Sequence, residues 1–198
     1  MFESVSIEKL AEADFPTEYG HFRIFGFQAG SEEAVAVVMG DLSGAPPLVR
    51  IHSQCLTGDV FHSLRCDCRA QLELALAMVA EEGRGMVIYE NKEGRGIGII
   101  NKLRAYELQD QGADTVEANE ALGFDADLRD YEIPASVIRH FGVTAVRLLS
   151  NNPEKIQALE RAGVRVAERV PCQPPSAERA SKYLMTKRDK LGHLLEGF

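Results

Sequence analysis

Three of the four cysteines in the chain lie within one short segment, CLTGDVFHSLRCDC (residues 55–68). Their pattern is Cys55-x10-Cys66-x-Cys68. A C-x-C pair places two sulfur atoms close enough to share one ion, and the ten-residue loop lets the third cysteine fold back onto them. Thiolates are ligands that zinc takes readily in proteins. The spacing therefore indicates a metal site.

Three interpretations of these cysteines stay open from the residues alone. Buried cysteines can act as small apolar side chains, although three charged residues share the segment. A structural zinc ion takes four protein ligands, and His52 or His62 could supply the fourth. A catalytic zinc ion takes three protein ligands and keeps a position for water, whose pKa it lowers to ~7. Cys172 lies over a hundred residues away, in a predicted linker.

Two other stretches combine charge with residues that could approach a substrate closely. RIHSQ (50–54) leads from a predicted strand into the cysteine segment, and its Arg50 could pair with a phosphate; a solvated arginine at a strand end is the alternative. KEGRGIG (92–98) has glycines that let backbone N–H groups reach an anion, with Arg95 supplying charge. Glu93 could accept two hydrogen bonds from the edge of a guanine. An ordinary turn is the alternative interpretation of this loop.

SNNPEK (150–155) has the residue order of a helix start. Asn152 suits the N-cap and Pro153 the first helical position. Ser150, the helix N-terminus and Lys155 could together bind a phosphate at the carboxyl end of a strand.

FDADLRD (124–130) places Asp127 and Arg129 two residues apart, on the same side of an extended chain. They could be a general base and its cationic partner, or part of a polar loop. From the residues alone, we interpret the chain as a zinc protein of the α/β class, a hydrolase acting on a phosphorylated small molecule.

The elements that must position these residues form a mixed α/β pattern with a βαβ rhythm in its second half. Apolar and alternating runs predict strands at Phe22–Phe27, Ala34–Met39, Leu48–His52, 85–90, Ala145–Leu149 and Val164–Arg169. Helical periodicity predicts helices at 71–83, 99–111, Pro134–Phe141, Pro153–Ala162 and 181–195. We expect one domain, 1–198, with a mixed sheet flanked by helices and a zinc-binding loop. Residues 171–180 form a linker, and 181–198 a C-terminal helix and tail.

Composition excludes several functional classes. The chain has 198 residues, 45% hydrophobic and 26% charged, with a net charge of −8. A polynucleotide partner is not expected, because such binders carry a basic stripe that neutralises phosphates. No run of apolar residues is long enough for a membrane span, and the first residues lack the apolar core of a secretory signal. We expect a cytoplasmic protein, in which thiols stay reduced and a disulfide is disfavoured.

Several long segments, in this order and at these spacings, resemble GTP cyclohydrolase II: RIHSQCLTGD, SLRCDCRAQLE, KEGRGIGIINKLRAYELQDQGADTVEAN, LGFDADLRDY and LLSNNPEK. The resemblance extends from about residue 15 to residue 170. It implies the first step of riboflavin biosynthesis. That reaction opens the imidazole ring of GTP and releases formate and pyrophosphate, leaving a diaminopyrimidinone that keeps the ribosyl monophosphate.

The resemblance also implies roles for individual residues. The implied zinc ligands are Cys55, Cys66 and Cys68. The implied catalytic residues are Tyr106 for ring opening, Asp127 as proton acceptor and Arg129 as nucleophile toward the α-phosphorus. The implied substrate-binding positions are Arg50, Ile51, His52, Ser53, Gln54, Gln71, Glu93, Gly94, Arg95, Thr115, Ser150 and Lys155. Because a guanidinium is protonated at neutral pH, electrostatic stabilisation is an alternative role for Arg129. Mg²⁺ on the GTP phosphates and a homodimer are also expected.

The chain departs from the family pattern at a few positions. Gln54 replaces the usual glutamate, Asn91 and Lys92 replace Arg-Gln, and Ser150 replaces threonine; 171–180 has an unusual sequence. These departures leave a related cyclohydrolase as the alternative. It would serve another guanine-derived, azapteridine-type pathway or stop at the formamidopyrimidine. A non-catalytic GTP-binding protein is disfavoured, because no implied zinc ligand or catalytic residue is missing.

Overall fold

The computed structural model describes residues 5–125, 128–174, 185, 188–190 and 192–195. Its strands and helices are, in chain order, β1 (Glu8–Thr17), β2 (Gly20–Ala29), β3 (Glu32–Met39), β4 (Leu48–Ser53), α1 (Leu56–Asp59), α2 (Cys68–Glu82), β5 (Gly85–Glu90), a 3₁₀ turn (Glu93–Gly96), α3 (Gly98–Asp110), α4 (Thr115–Ala121), α5 (Glu132–His140), β6 (Ala145–Leu149), α6 (Pro153–Arg161) and β7 (Arg165–Val170). Among these residues, no helix is both long enough and apolar enough to cross a membrane.

The strands of the described residues form one seven-stranded sheet in the order β1-β2-β3-β5-β4-β6-β7. The pairs β1–β2, β2–β3 and β3–β5 are antiparallel. The pairs β4–β6 and β6–β7 are parallel. In the register of β4 with β6, Leu48 lies opposite Arg147 and Val49 opposite Leu148. The carboxyl ends of β4 and β6 therefore lie side by side, which is where ligands bind in many open sheets.

Alternate residues of the strands contribute to two buried apolar clusters, as the period of two in a strand requires. In β5, Ile88 belongs to one cluster and Val87 to the other. The first cluster includes Val137 of α5, and the second includes Val79 of α2. Helices therefore cover both faces of the sheet, and the predicted fold class, a mixed sheet flanked by helices, is confirmed.

The chain forms two compact units. Unit 1 comprises Met1–His52, Leu72–Asn91 and Asp130–Cys172, and it contains the sheet. Unit 2 comprises Ser53–Gln71, Lys92–Arg129 and Gln173–Phe198, and it contains the cysteine segment with α3 and α4. The predicted linker and C-terminal helix stay predictions, since residues 175–184 and much of the remainder lie outside the described part of the chain.

Four elements were not predicted from the sequence, and two of them, α1 and the 3₁₀ turn, have only four residues each. Strand β1 is exposed along most of its length, so it lacks an apolar period, and it forms because it pairs with β2 from Glu8 to Thr17. Helix α4 has seven residues, too few to show a period of 3.6. The predicted helix at 71–83 is confirmed but begins earlier, at Cys68. Gly83, which follows its end, has the positive φ of a helix C-terminus.

Candidate active site

The sulfur atoms of Cys55, Cys66 and Cys68 all lie within 4.8 Å of one another. The Sγ atoms of Cys55 and Cys66 are 3.7 Å apart. Zn–S bonds of about 2.3 Å at tetrahedral angles place two sulfur atoms ~3.8 Å apart. The three thiols therefore fit a zinc ion with little movement.

The burial and the contacts of the three cysteines distinguish between apolar packing, a four-ligand metal site and a three-ligand metal site. Cys66 and Cys68 are only partly buried, unlike cysteines that serve as apolar packing. Among the described residues, the group that could hold a metal consists of these three thiols and includes neither His52 nor His62. The ring nitrogen Nε2 of His62 lies 2.5 Å from the Arg69 guanidinium instead. The arrangement favours a three-ligand site over a closed four-ligand one.

A tight turn of chain brings the thiols together. The Cys55 N–H donates to Oδ2 of Asp59 at 3.0 Å, and the Asp59 N–H donates back to the Cys55 carbonyl at 2.7 Å. Gly58 is buried between the sulfurs, where a Cβ would lie 2.9 Å from the Cys66 Sγ and 3.1 Å from the Cys55 Sγ. Only a residue without a side chain lets the backbone pass this close to the thiols.

A buried ion pair adjoins the first thiol. The Lys102 ammonium donates to Oε1 of Glu93 at 2.7 Å and to the Cys55 sulfur at 3.1 Å. The other carboxylate oxygen of Glu93 accepts from the N–H of Leu56 at 2.6 Å. Burial acts to lower the pKa of Lys102, but the hydrogen bond to Glu93 and the charge of Cys55 outweigh it and raise the pKa above its ordinary value. Lys102 therefore carries its positive charge at neutral pH.

The thiols do not titrate alike. Hydrogen bonds from Cys66 and Cys68 lower the pKa of Cys55 far below its ordinary value, and the neighbouring Lys102 adds to this. The hydrogen bond to Cys55 raises the pKa of Cys66. A lowered pKa favours the thiolate form of Cys55, which is the form that binds metals.

Tyr106 lies on α3, one turn after Lys102, and faces the same cluster. Its hydroxyl is 3.2 Å from the Oγ1 of Thr57, which is itself 3.7 Å from the Cys55 sulfur. The Arg65 guanidinium lies 4.7 Å from the centre of the Tyr106 ring. Burial raises the pKa of the Tyr106 phenol, so it carries its proton at neutral pH.

The loop that carries Arg129 contacts the 3₁₀ turn. Arg129 donates to the Ser53 hydroxyl at 3.2 Å, and the Leu128 N–H donates to the Arg95 carbonyl at 3.2 Å. Gly94 and Arg95 both have positive φ, 61° and 62°. Arg95 holds a conformation that residues with a side chain seldom adopt. The predicted proton acceptor, Asp127, lies outside the described residues.

The remaining predicted substrate residues of unit 2 lie within α2, at the start of α4 and directly after β4. Thr115 is the first residue of α4, whose N-cap Asp114 forms a capping box with Glu117. Gln71 lies in α2 and donates to Oδ2 of Asp67 at 2.5 Å. Gln54 follows β4 directly.

The predicted substrate residues of unit 1 meet at the carboxyl ends of β4 and β6. Lys155 donates to the Ile51 carbonyl at 2.8 Å, and Arg50 donates to the Leu149 carbonyl at 3.0 Å, next to Ser150. All are buried. The ring of His52 stacks on that of Tyr89, with centroids 5.4 Å apart.

The predicted helix start at SNNPEK is confirmed. The Asn152 side chain accepts from the Glu154 N–H at 2.9 Å, and Pro153 begins α6. In turn, the Asn152 N–H donates to the Ser150 hydroxyl at 3.1 Å. Ser150 is therefore bonded to the start of the helix that carries Lys155.

Sequence reasoning missed four residues of this cluster: Thr57, Gly58, Asp59 and Lys102. A signal for Lys102 was present, because it precedes Tyr106 by four residues and so shares its helix face. The other three lie in the segment LTGD (56–59), between Cys55 and Cys66. The chain must turn in this segment if the two cysteines are to meet at one metal ion.

A model of the GTP cyclohydrolase II family matches residues 8–171. The chain belongs to the GTP cyclohydrolase II family. It is 54% identical over 194 residues to the GTP cyclohydrolase-2 of Azotobacter vinelandii, covering 96% of this chain and 93% of that protein.

Two further relatives differ in length: one is about as long as this chain, and the other is about twice as long. The GTP cyclohydrolase-2 of Haemophilus influenzae (strain PittEE) is 53% identical over 193 residues, covering 96% of this chain and 89% of that one. The riboflavin biosynthesis protein RibBA of Bacillus velezensis is 54% identical over 193 residues. The match covers 96% of this chain but only 48% of that protein's length.

Proposed function

We propose that this GTP cyclohydrolase II family member opens the imidazole ring of GTP, releasing formate and pyrophosphate and leaving the diaminopyrimidinone that enters riboflavin biosynthesis. The proposal is carried by the three thiols within 4.8 Å of one another in a chain of this family. That arrangement fits a reaction in which water attacks a ring carbon at neutral pH.

Cys55, Cys66 and Cys68 would hold the zinc ion. When bound, zinc supplies a Lewis acid that activates water for attack on an electrophilic carbon. The chain's own contribution is to hold the thiols: Gly58 and Asp59 close the turn.

Tyr106 would assist the breaking of the ring. Opening an imidazole ring leaves a nitrogen that must gain a proton, and a phenol that keeps its proton at neutral pH can donate one. Burial keeps the Tyr106 phenol protonated. Its contact with Thr57 would hold the hydroxyl toward the cluster.

Arg129 would act on the phosphate side of GTP. Its guanidinium stays protonated, so we assign it stabilisation of charge on the transferring phosphoryl group. Asp127 is proposed as the proton acceptor beside it, with Mg²⁺ bound to the phosphates.

Different residues would bind the phosphates and the guanine base of GTP. Arg50, Ser150 and Lys155 would bind phosphate oxygens, since cationic and hydroxyl groups at a strand end and a helix N-terminus suit an anion. Glu93 would accept from the guanine edge. The other proposed contacts are Ile51, His52, Ser53, Gln54, Gln71, Gly94, Arg95 and Thr115. A homodimer in the cytoplasm is proposed on the family resemblance, and light scattering after gel filtration tests the dimer.

The test is to incubate the zinc-loaded protein with GTP and Mg²⁺ and to quantify formate, pyrophosphate and the pyrimidine. Equal amounts of formate and pyrophosphate are expected. Pyrophosphate without formate would favour the alternative that stops at the formamidopyrimidine, and would turn attention to Gln54 and Lys92. Neither product, with GTP still bound, would contradict the proposal.

A matched pair of variants controls for the metal. Cys66→Ser removes one thiol of the cluster and should lose both zinc and formate release. Cys172→Ala removes a thiol that is buried in an apolar cluster of unit 1, and it should keep both. Formate release by the Cys66→Ser protein without metal would contradict the role given to the thiols.

A further inference from the structure

The ion pair of Lys102 and Glu93 is placed to act on the metal ligand Cys55. Both side chains are largely buried, with 12% of Lys102 and 7% of Glu93 exposed. The lysine bridges the carboxylate and the Cys55 sulfur, at 2.7 Å and 3.1 Å. The charges of Glu93 and Lys102 would balance each other even without the contact between Lys102 and the Cys55 sulfur. That contact is therefore not needed for the ion pair itself.

The same pair also holds the backbone of the ligand segment. The second oxygen of Glu93 accepts from the N–H of Leu56, the residue after Cys55, at 2.6 Å. Gly94 has a positive φ and allows a close approach, because a Cβ there would lie 3.3 Å from the Cβ of Lys102. Side chain and backbone of the Cys55 segment are therefore held by one ion pair.

The net charge of a zinc site with three thiolate ligands determines how the Lys102 cation would affect it. One Zn²⁺ ion and three thiolates carry a net charge of −1, and strong sulfur donors reduce the Lewis acidity of the metal. A hydrogen bond to a ligand withdraws electron density from it, and partners of this kind tune metal affinity and reactivity. At 3.1 Å in a partly buried site, a cation is weakly screened by solvent.

We propose that Lys102, held by Glu93, is a positioning residue that balances the charge of the Cys55 thiolate and so sets the affinity and the Lewis acidity of the metal site. The inference rests on the proposed function, since it concerns the same three thiols. It assigns no contact between Lys102 and the substrate.

The decisive variant is Lys102→Met, which removes the charge and keeps the length of the side chain. We expect zinc affinity at neutral pH, measured by competition with a chromophoric chelator, to fall about tenfold to a hundredfold. In the Co²⁺-substituted protein, the sulfur-to-cobalt charge-transfer band should move to longer wavelength, because the sulfur lone pairs rise in energy without the hydrogen bond. Lys102→Arg keeps the charge and should restore most of the affinity.

Arg104→Met is the matched control. It removes a cation from the exposed side of the same helix, where Arg104 contacts Asn101. This variant should bind zinc and absorb as the wild type does. If Lys102→Met lowers thermal stability but leaves both the zinc affinity and the cobalt band unchanged, the ion pair is merely structural and the inference is wrong.

Failure of the variant to fold and failure of the proposed function can be distinguished from failure of this inference. If Lys102→Met does not fold, Lys102→Gln takes its place, because it also removes the charge while keeping a polar side chain; it should move the same band in the same direction by a smaller amount, and no movement would overturn the inference. If the wild-type protein binds one zinc ion but makes no formate from GTP, the proposed function fails. The affinity and the spectrum of the variants still decide the role of Lys102.

Discussion

At the scale of single residues, Gly58 limits the geometry of the thiol cluster most directly. Gly58→Ala would place a Cβ 2.9 Å from the Cys66 sulfur, closer than side chains approach one another. Either the sulfur or the backbone of α1 must move, so we expect zinc affinity to fall at least about tenfold. Chelator competition measures it.

Gly26→Ala serves as the control for this substitution. Its new Cβ would meet only the Cβ of Ala11, at an ordinary 3.8 Å. We expect its zinc affinity to match the wild type. Unchanged affinity in Gly58→Ala as well would show that the turn relaxes around an added methyl group.

Arg129 is the second residue whose role can be isolated. Arg129→Ala removes the guanidinium that contacts the Ser53 hydroxyl, and we expect pyrophosphate release to fall about a hundredfold or more, as loss of a transition-state charge partner does. Arg129→Lys keeps a charge without the planar fork and should be intermediate. Fast pyrophosphate release by Arg129→Ala would exclude both the nucleophile and the main electrostatic role.

At the scale of elements, the capping box of α4 stabilises the start of the helix that presents Thr115. Asp114→Ala should cost about 1 kcal/mol. Amide hydrogen exchange measures this locally, as a ~fivefold loss of protection within α4. Asp114→Asn keeps a side-chain acceptor and should retain most of the protection. Equal protection in all three proteins would mean that tertiary contacts alone hold α4.

The same cap predicts a pH dependence. Partial burial acts to raise the pKa of Asp114, but hydrogen bonds from Lys190 and from the N–H groups of Glu117 and Val116 outweigh it, so the pKa lies below its ordinary 3.8. A lowered pKa in the folded protein means that the stabilisation is present above pH 3.8 and is lost as the pH falls through the folded value. The difference in protection between wild type and Asp114→Asn should shrink over that range.

Elements with a strong apolar signal could be predicted from the sequence, and others could not. The strands Leu48–Ser53 and Gly85–Glu90 are almost wholly buried, and apolar residues make up at least half of each. Strand β1 depends on pairing with β2, which no local pattern records. For the site, the cysteine spacing predicted the thiol cluster. The contact of Lys102 with Cys55 joins residues 47 positions apart, so only the fold reveals it.

At the scale of the whole molecule, the proposed functions divide between the two units. The three thiols proposed to hold the metal belong to unit 2, and Arg50, Ser150 and Lys155 belong to unit 1. Lys155→Met keeps the length of a buried side chain but removes its charge. We expect the KM for GTP to rise about tenfold or more, because a charged partner of phosphate is lost. Bound zinc should stay at the wild-type ratio.

The outcome that contradicts this division is also measurable. Loss of zinc from Lys155→Met, in a protein that still unfolds cooperatively, would mean that Lys155 is needed for metal binding. An unchanged KM would remove Lys155 from the phosphate contacts. Glu154→Gln, a neighbouring change in the first turn of α6, is the control and should alter neither quantity.

The close spacing of the thiols has a consequence for the newly synthesised chain. All three are complete at residue 68, whereas Lys102 is added 34 residues later. At about 5–20 residues per second, this interval lasts roughly two to seven seconds. During translation, all three thiols proposed as metal ligands therefore exist before the cation proposed to balance their charge. Under the charge balance proposed above, a metal ion captured by the nascent chain is held less tightly than in the finished protein.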